Sequence, residues 1–144
     1  MAAKNTLTTV EVRVASLTGK HVSGIAKEVY VDMDNSAIGV LPEHQPEFYR
    51  FAAAIVTFIT PDGKEERFYA YDGFLEIEQD QVLIAVRDIF RPGEIAPEDV
   101  EKEIKELEKE LKNLPEEKVE KKVKLEKEIE KKTYLLRKLS SFNR

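Results

Sequence analysis

The chain has no cysteine, so it carries no disulfide framework and no thiolate metal site. It has two histidines, His21 and His44, and a zinc site needs three or four ligands. No apolar run approaches about 20 residues, so nothing reads as a membrane-spanning helix. Residues 1–7 lack the apolar core of a secretory signal, and a cytoplasmic location is expected. No Gly-rich phosphate loop or nucleophile elbow occurs, which argues against an enzyme. Basic charge is scarce in residues 1–90, with 8 Lys+Arg against 14 Asp+Glu, and this excludes nucleic acid as the main partner. Glycine is absent after Gly93.

That last absence marks a joint. Around Arg91-Pro92-Gly93 regular structure breaks, and Pro97 stands where helices commonly start. Residues 1–90 are read as one domain and 91–144 as a second. In the first, Val10, Val12 and Val14 alternate with polar residues, as do Val29, Val31 and Met33. Strands are expected at 8–16, 20–24, 29–33, 39–41, 47–52, 55–60, 66–71, 74–78 and 81–87. Pro61-Asp62-Gly63, Asp72-Gly73 and Gln79-Asp80 serve as separators. Short strands with tight turns and no intervening helix predict an antiparallel β-sandwich.

Beyond the joint, Val100, Ile104, Leu107, Leu111 and Leu114 recur at spacings of 4, 3, 4 and 3. A second stripe holds Val119, Val123, Leu125, Ile129, Leu135, Leu136, Leu139 and Phe142, with Pro115 expected in the first turn of that helix. Two helices joined this closely predict an antiparallel hairpin, making the chain α+β. Residues 98–114 carry 7 acidic and 4 basic side chains; residues 115–144 carry 6 and 10. From Lys131 onward every charged group is basic: Lys131, Lys132, Arg137, Lys138 and Arg144. In a closed hairpin this tail lies beside the acidic start of the first helix. It would also suit an acidic protein surface, and the two uses compete. His44, beside Glu43 and near Glu47, is favoured as a loop-holding histidine over a metal ligand. Asp88, which ends an apolar strand before the joint, is favoured as a turn-capping carboxylate over an acid–base group. No metal and no cofactor are expected.

Ala37-Ile38-Gly39-Val40-Leu41-Pro42-Glu43-His44-Gln45-Pro46 resembles the Gly-(Ile/Val)-Leu-Pro-x-His-x-Pro signature of the epsilon subunit of bacterial F-type ATP synthases. Asp72-Gly73-Phe74-Leu75-Glu76-Ile77 is similar to that family's Gly-Gly-Phe-Leu-Glu-Val. The resemblance implies a β-sandwich of about ten strands carrying a two-helix hairpin, in a non-catalytic rotor subunit peripheral on the cytoplasmic face of the bacterial inner membrane. Its sandwich would bind the gamma subunit and the c-ring, through Ile38, Gly39, Leu41, Pro42, His44 and Pro46. Its hairpin would open and inhibit ATP hydrolysis on the beta (and alpha) subunits, with Lys131, Lys132, Arg137 and Lys138 in the inhibitory arm. Lys118, Lys121, Lys122, Lys124 and Lys127 are further candidates on that helix. Some relatives bind ATP through Ile-Asp-x-x-Arg-Ala; here residues 98–103 keep only Asp99 and a basic residue, Lys102, so weak or absent ATP binding is expected. Ser36-Ala37 replaces a Gly-Glu pair of many relatives, and the family's Pro-Gly turn is missing near Ala52. The alternative from a different class is a β-sandwich adaptor whose helical arm forms a coiled coil.

Overall fold

Alternation of apolar residues sets the strands. Eight are present among the described residues: β1 (Val10–Ser16), β2 (His21–Ala26), β3 (Glu28–Met33), β4 (Ala37–Val40), β5 (Glu47–Ile59), β6 (Glu65–Ile77), β7 (Gln81–Val86) and β8 (Asp88–Phe90). The structure is a computed structural model and describes residues 7–142, with side chains up to Leu139. It divides into two compact units, Met1–Phe90 and Arg91–Arg144.

In the first unit the strands form one hydrogen-bonded path, β2-β1-β7-β6-β5-β3-β4, with β8 added on β6. The β1–β7 pair is parallel; the others are antiparallel. The path becomes a sandwich through β5 and β6, each 13 residues long. The second half of β6 pairs β7 through Phe74–Ile77, whereas its first half pairs β8 at Tyr69, Ala70 and Tyr71. Likewise β3 takes only Ala54–Ile59 of β5. One layer is therefore β2-β1-β7-β6-β5 and the other β4-β3-β5-β6-β8. Counting β5 and β6 in both layers recovers the ten strands expected, although the separate elements number eight. Inward residues of both layers fill the core, with Val12, Val29, Val56, Phe68, Leu75, Val82 and Ile84 fully buried. That burial supplies the main stabilisation of a domain this size.

The expected breaks near Ala52 and at Asp72-Gly73 are not breaks. Both strands run through them and bend. Phe51 pairs Gly73 and Ala53 pairs Tyr71, but the intervening pair of Ala52 and Asp72 drops out of the ladder. The Asp34 carboxylate accepts the Ala52 and Ala53 amides at 2.8 and 3.1 Å, and Asn35 donates to the Arg50 carbonyl at 3.0 Å. The bent backbone is thus satisfied by side chains of the β3–β4 turn. Across from it, Asp72 takes φ 51°, a left-handed value that Asp tolerates better than most residues. Gly73 is required for a different reason: a Cβ there would lie 2.1 Å from the Ala85 carbonyl oxygen. The tight turn at Pro61-Asp62-Gly63 does form, with Gly63 at φ 89°.

The second unit pairs α1 (Pro97–Lys112) with α2 (Val119–Phe142). Pro97 opens α1, Glu98 and Asp99 lie in its first turn, and Lys109 and Lys112 lie in its last, each charge complementing the helix dipole. Pro115 does not open α2. Its carbonyl accepts the Lys118 amide in a turn, and the helix begins at Val119. Val100 and Ile104 are buried on α1, and Leu125, Tyr134, Leu135 and Leu139 on α2. Val119 and Val123, expected on the stripe, are 61% and 42% exposed. Tyr134 takes a buried place that the stripe did not include. The Phe142 side chain and Arg144 lie outside the described residues.

Candidate functional site

The signature segment forms edge strand β4 and the loop after it. Val40 points into the core, Ile38 packs against it half-buried, and Gly39 lies under the half-exposed ring of Tyr30 on β3. A Cβ at Gly39 would stand 3.3 Å from that ring, so the glycine lets the aromatic side chain cover the edge. Leu41 is left 55% exposed. The chain then turns: the His44 amide donates to the Leu41 carbonyl, and the Glu43 amide donates to Gln79 in the β6–β7 turn. Glu43 takes φ 67° there. His44 Nδ1 lies 2.7 Å from the Gln45 carbonyl, so that nitrogen carries the proton and donates. Glu47 accepts from the Tyr49 hydroxyl instead of facing His44, and that bond raises the Tyr49 phenol above its usual pKa. Among the described residues no group of acidic and histidine side chains could hold a metal. Pro42 and Pro46 flank the loop and restrict its backbone.

The outer face of the β2-β1-β7-β6-β5 layer follows from the strand registers. Ala15, Ala85, Phe74 and Arg50 stand in one row, and Arg13, Leu83, Glu76 and Phe48 in the next. Phe48 is 57% exposed and stacks on Phe74 with ring centroids 5.2 Å apart. Beside them, at the strand bend, lies a cavity of about 480 Å³ lined by Leu17, Arg50, Phe51, Asp72, Gly73, Phe74, Ala85 and Val86. None of this face was expected as functional. The alternation of β5 carries the signal, because Phe48 falls on the opposite face from Tyr49 and the buried Phe51.

Asp88 closes the sandwich. Its carboxylate accepts from the Thr18 hydroxyl at 2.9 Å and its own neighbour's amide, Ile89, at 2.8 Å. Lys20 approaches it at 3.2 Å, donates to the Ile89 carbonyl, and lies over the Phe90 ring. Partial burial pushes the Asp88 carboxyl up, but the Ile89 amide, the Thr18 hydroxyl and the Lys20 ammonium outweigh it and hold it below the usual carboxylate range. The arrangement is a clasp between the β1–β2 turn and the last strand. It offers no acid–base chemistry.

On the hairpin, Lys132 bridges to Glu103 of α1 at 2.6 Å, and Lys121 approaches Glu110 at 3.9 Å. Both pairs fix the antiparallel register. Lys131 instead lies buried and pairs with Glu128 of its own helix at 2.7 Å. Arg137 and Lys138 stand over the Tyr134 ring at 5.8 and 5.9 Å. The four residues expected in one basic arm therefore have three different settings. Asp99 and Lys102 are exposed on the first turns of α1.

Fold and surfaces together define a class, an eight-stranded sandwich with an exposed apolar face, followed by a charged helical hairpin. Residues 9–92 match the family described as ATP synthase, Delta/Epsilon chain, beta-sandwich domain, and the chain belongs to that family as an epsilon-type subunit. It is 29% identical over 107 residues to the ATP synthase epsilon chain of Delftia acidovorans, covering 74% of this chain and 78% of that one. It is 27% identical over 89 residues to the ATP synthase epsilon chain of Bordetella petrii, covering 62% and 63%. A chain of the Euglena gracilis mitochondrial ATP synthase, solved as OSCP/F1/c-ring in rotational state 1, superposes with a TM-score of 0.74 over 93% of this chain and 83% of its own. At 16% identity that likeness is one of fold. No helix among the described residues is long and apolar enough to cross a membrane.

Proposed function

We propose that the chain is the non-catalytic epsilon-type subunit of the central stalk of an F-type ATP synthase. In this reading it is held peripherally at the cytoplasmic face of the bacterial inner membrane. Its sandwich docks on a gamma subunit and on the c-ring, so that ion flow through the ring turns the stalk. Family membership across residues 9–92 carries this reading. The docking role of Ile38, Gly39, Leu41, Pro42, His44 and Pro46 is supported by the exposed Leu41 and by a loop tied down at Glu43 and His44. A fixed loop loses little freedom on binding.

The hairpin acts as the regulator. The Lys132–Glu103 bridge is exposed enough to be screened, so closing is worth a few weak pairs plus an apolar seam. An acidic surface of the beta (or alpha) subunits would compete for Lys132, Arg137 and Lys138. Lys131, itself buried, joins them only after leaving its pair with Glu128. ATP binding at Asp99 and Lys102 is weak or absent, because Glu101 and Glu103 flank Lys102 and repel phosphate.

Reconstitution tests both parts. The wild-type chain should co-purify with gamma, and deleting residues 115–144 should raise ATP hydrolysis by the assembled complex several-fold while gamma stays bound. Unchanged hydrolysis would remove the regulatory part. Failure to bind gamma would remove the rotor reading and leave the adaptor alternative.

A further inference from the structure

The turn between β3 and β4 holds β5 as well as reversing the chain. The Met33 amide closes the turn on the Ser36 carbonyl at 2.7 Å, and the Asp34 amide donates to the Ala53 carbonyl at 2.9 Å. The Asp34 carboxylate takes the Ala52 and Ala53 amides, and the Asn35 side-chain amide donates to the Arg50 carbonyl at 3.0 Å. Of these ties, the one through Asn35 is chemically the least durable. Asparagine is thermolabile, because the next residue's backbone nitrogen can attack its side-chain carbonyl. A small, exposed following residue with an unengaged amide favours that attack.

Asn35 meets all three conditions. The asparagines are Asn5, Asn35, Asn113 and Asn143, followed by Thr, Ser, Leu and Arg, and Ser is the smallest of these neighbours. Asn35 and Ser36 are both exposed, and among the described residues the Ser36 amide donates to no acceptor. At Asn113 the following amide, Leu114, is engaged by the Leu111 carbonyl at 3.2 Å. Two aspartates precede glycine and could close the same ring, but the structure restrains both. The Gly63 amide after Asp62 donates to the Thr60 carbonyl at 2.9 Å, and Asp72-Gly73 lies inside β6. The bond from Asn35 to Arg50 is exposed, so water can take both partners and the side chain swings free without global unfolding.

We propose that Asn35 is a deamidation site and that its conversion loosens the bend of β5. The Ser36 nitrogen bonds to Asn35 Cγ and the Cγ–Nδ2 bond breaks. Nδ2 leaves as ammonia, carrying the proton that Ser36 gave up through water. The five-membered imide then adds water at one of its two carbonyls, giving aspartate or the isomer whose backbone runs through Cγ. Either product has a carboxylate in place of the amide. That carboxylate cannot donate to the Arg50 carbonyl, and the neighbouring Asp34 carboxylate repels it.

The reaction needs only water and no partner subunit, so its test is independent of the rotor reading. The full chain would be held in mildly alkaline buffer for days, with peptide mass mapping following each asparagine and circular dichroism confirming the fold. Asn35 should convert at least tenfold faster than Asn113. Ser36→Val, an exposed change whose branched side chain crowds the attacking nitrogen, should slow conversion of Asn35 at least tenfold. Asn35→Asp supplies one product directly. In it, hydrogen exchange of the Ala52 and Ala53 amides should quicken several-fold, while exchange in α1 stays at the wild-type rate. Conversion of Asn35 no faster than Asn113, or undiminished in Ser36→Val, overturns the site. Wild-type exchange at Ala52 and Ala53 in Asn35→Asp overturns its effect on the bend.

Discussion

The sandwich and the hairpin are both built from amphipathic elements, yet they tolerate change very differently. In the sandwich, inward residues reach complete burial: Val12, Val29, Ala54, Val56, Phe68, Ala70, Leu75, Val82 and Ile84 expose nothing. In the hairpin Leu139 comes closest, at 1%, while Ile104 and Leu125 remain 9% and 8% exposed. The sandwich also brings backbone against backbone, as at Gly73, where nothing can be added. The hairpin has a narrow seam edged by ion pairs, and such pairs are weak and adjustable. A rigid coupling element and an adjustable arm are what these two designs allow, and substitutions at Gly73, Asp88 and Lys132 test that difference in turn.

The largest effect is expected at Gly73. Gly73→Ala would put a carbon 2.1 Å from the Ala85 carbonyl oxygen and 2.6 Å from Val86 Cγ1, both in β7. The strands would have to separate. Overpacking usually costs about 1–3 kcal/mol, and a clash with backbone belongs at or above the top of that range. Urea unfolding followed by tyrosine fluorescence should show the sandwich transition moved down by at least that much. The helical signal at 222 nm should melt at its wild-type midpoint. A common shift of both signals would mean that the two units do not unfold separately, and the comparison would break.

Much of this was legible, and the misreadings have identifiable causes. Alternation located β1, β3 and β7 because each has one wet and one dry face. It could not show that β5 and β6 are continuous, because Asp72-Gly73 carries a turn signal wherever it occurs. Here the same two residues are used inside a strand, one for its left-handed backbone and the other for its missing side chain. The bend of β5 depends on Asp34, 18 residues away in sequence from Ala52, a long-range bond no local pattern reveals. In α2, helical spacing predicts burial for each apolar residue, but Val119 and Val123 sit where the hairpin has just turned and stay exposed. Charge alone groups Lys131 with the other cations; its burial and its pairing with Glu128 depend on packing. The signature segment itself was legible as a site, while the cavity beside Arg50 depends on the registers of four strands.

A smaller effect is expected at Asp88. Its folded pKa is held below the usual value, so it stabilises the fold at pH values above its unfolded pKa, and that contribution is lost as pH falls through the folded pKa. Asp88→Asn removes the charge from a site where Thr18, Lys20 and the Ile89 amide all converge. Hydrogen bonds to a charged group contribute about 1.5–3 kcal/mol, so a loss near the lower end is expected at neutral pH. Thermal melts should show the difference between wild type and variant shrinking as the pH falls below the usual carboxylate range. A constant difference at every pH would show that the clasp acts by shape and not by charge.

The smallest effect is expected at the interhelical bridge, and its smallness is the point. Glu103 is half exposed and Lys132 about a third exposed, so solvent screens their attraction despite a 2.6 Å contact. Exposed pairs of this kind give about 0.2–1 kcal/mol in double-mutant cycles. For Glu103→Gln, Lys132→Met and the double variant, hairpin stability should yield a coupling within that range. It should fall as salt is raised from low ionic strength toward 1 M, where the screening length shrinks to about 3 Å. Hydrogen exchange in α1 and α2 reports this directly, because local opening can be followed without unfolding the sandwich. Coupling of this size lets an acidic surface draw Lys132 away at little cost, whereas coupling several times larger would lock the hairpin shut. A measured value well above the range would therefore make the hairpin as fixed as the sandwich and remove the physical basis for a movable arm.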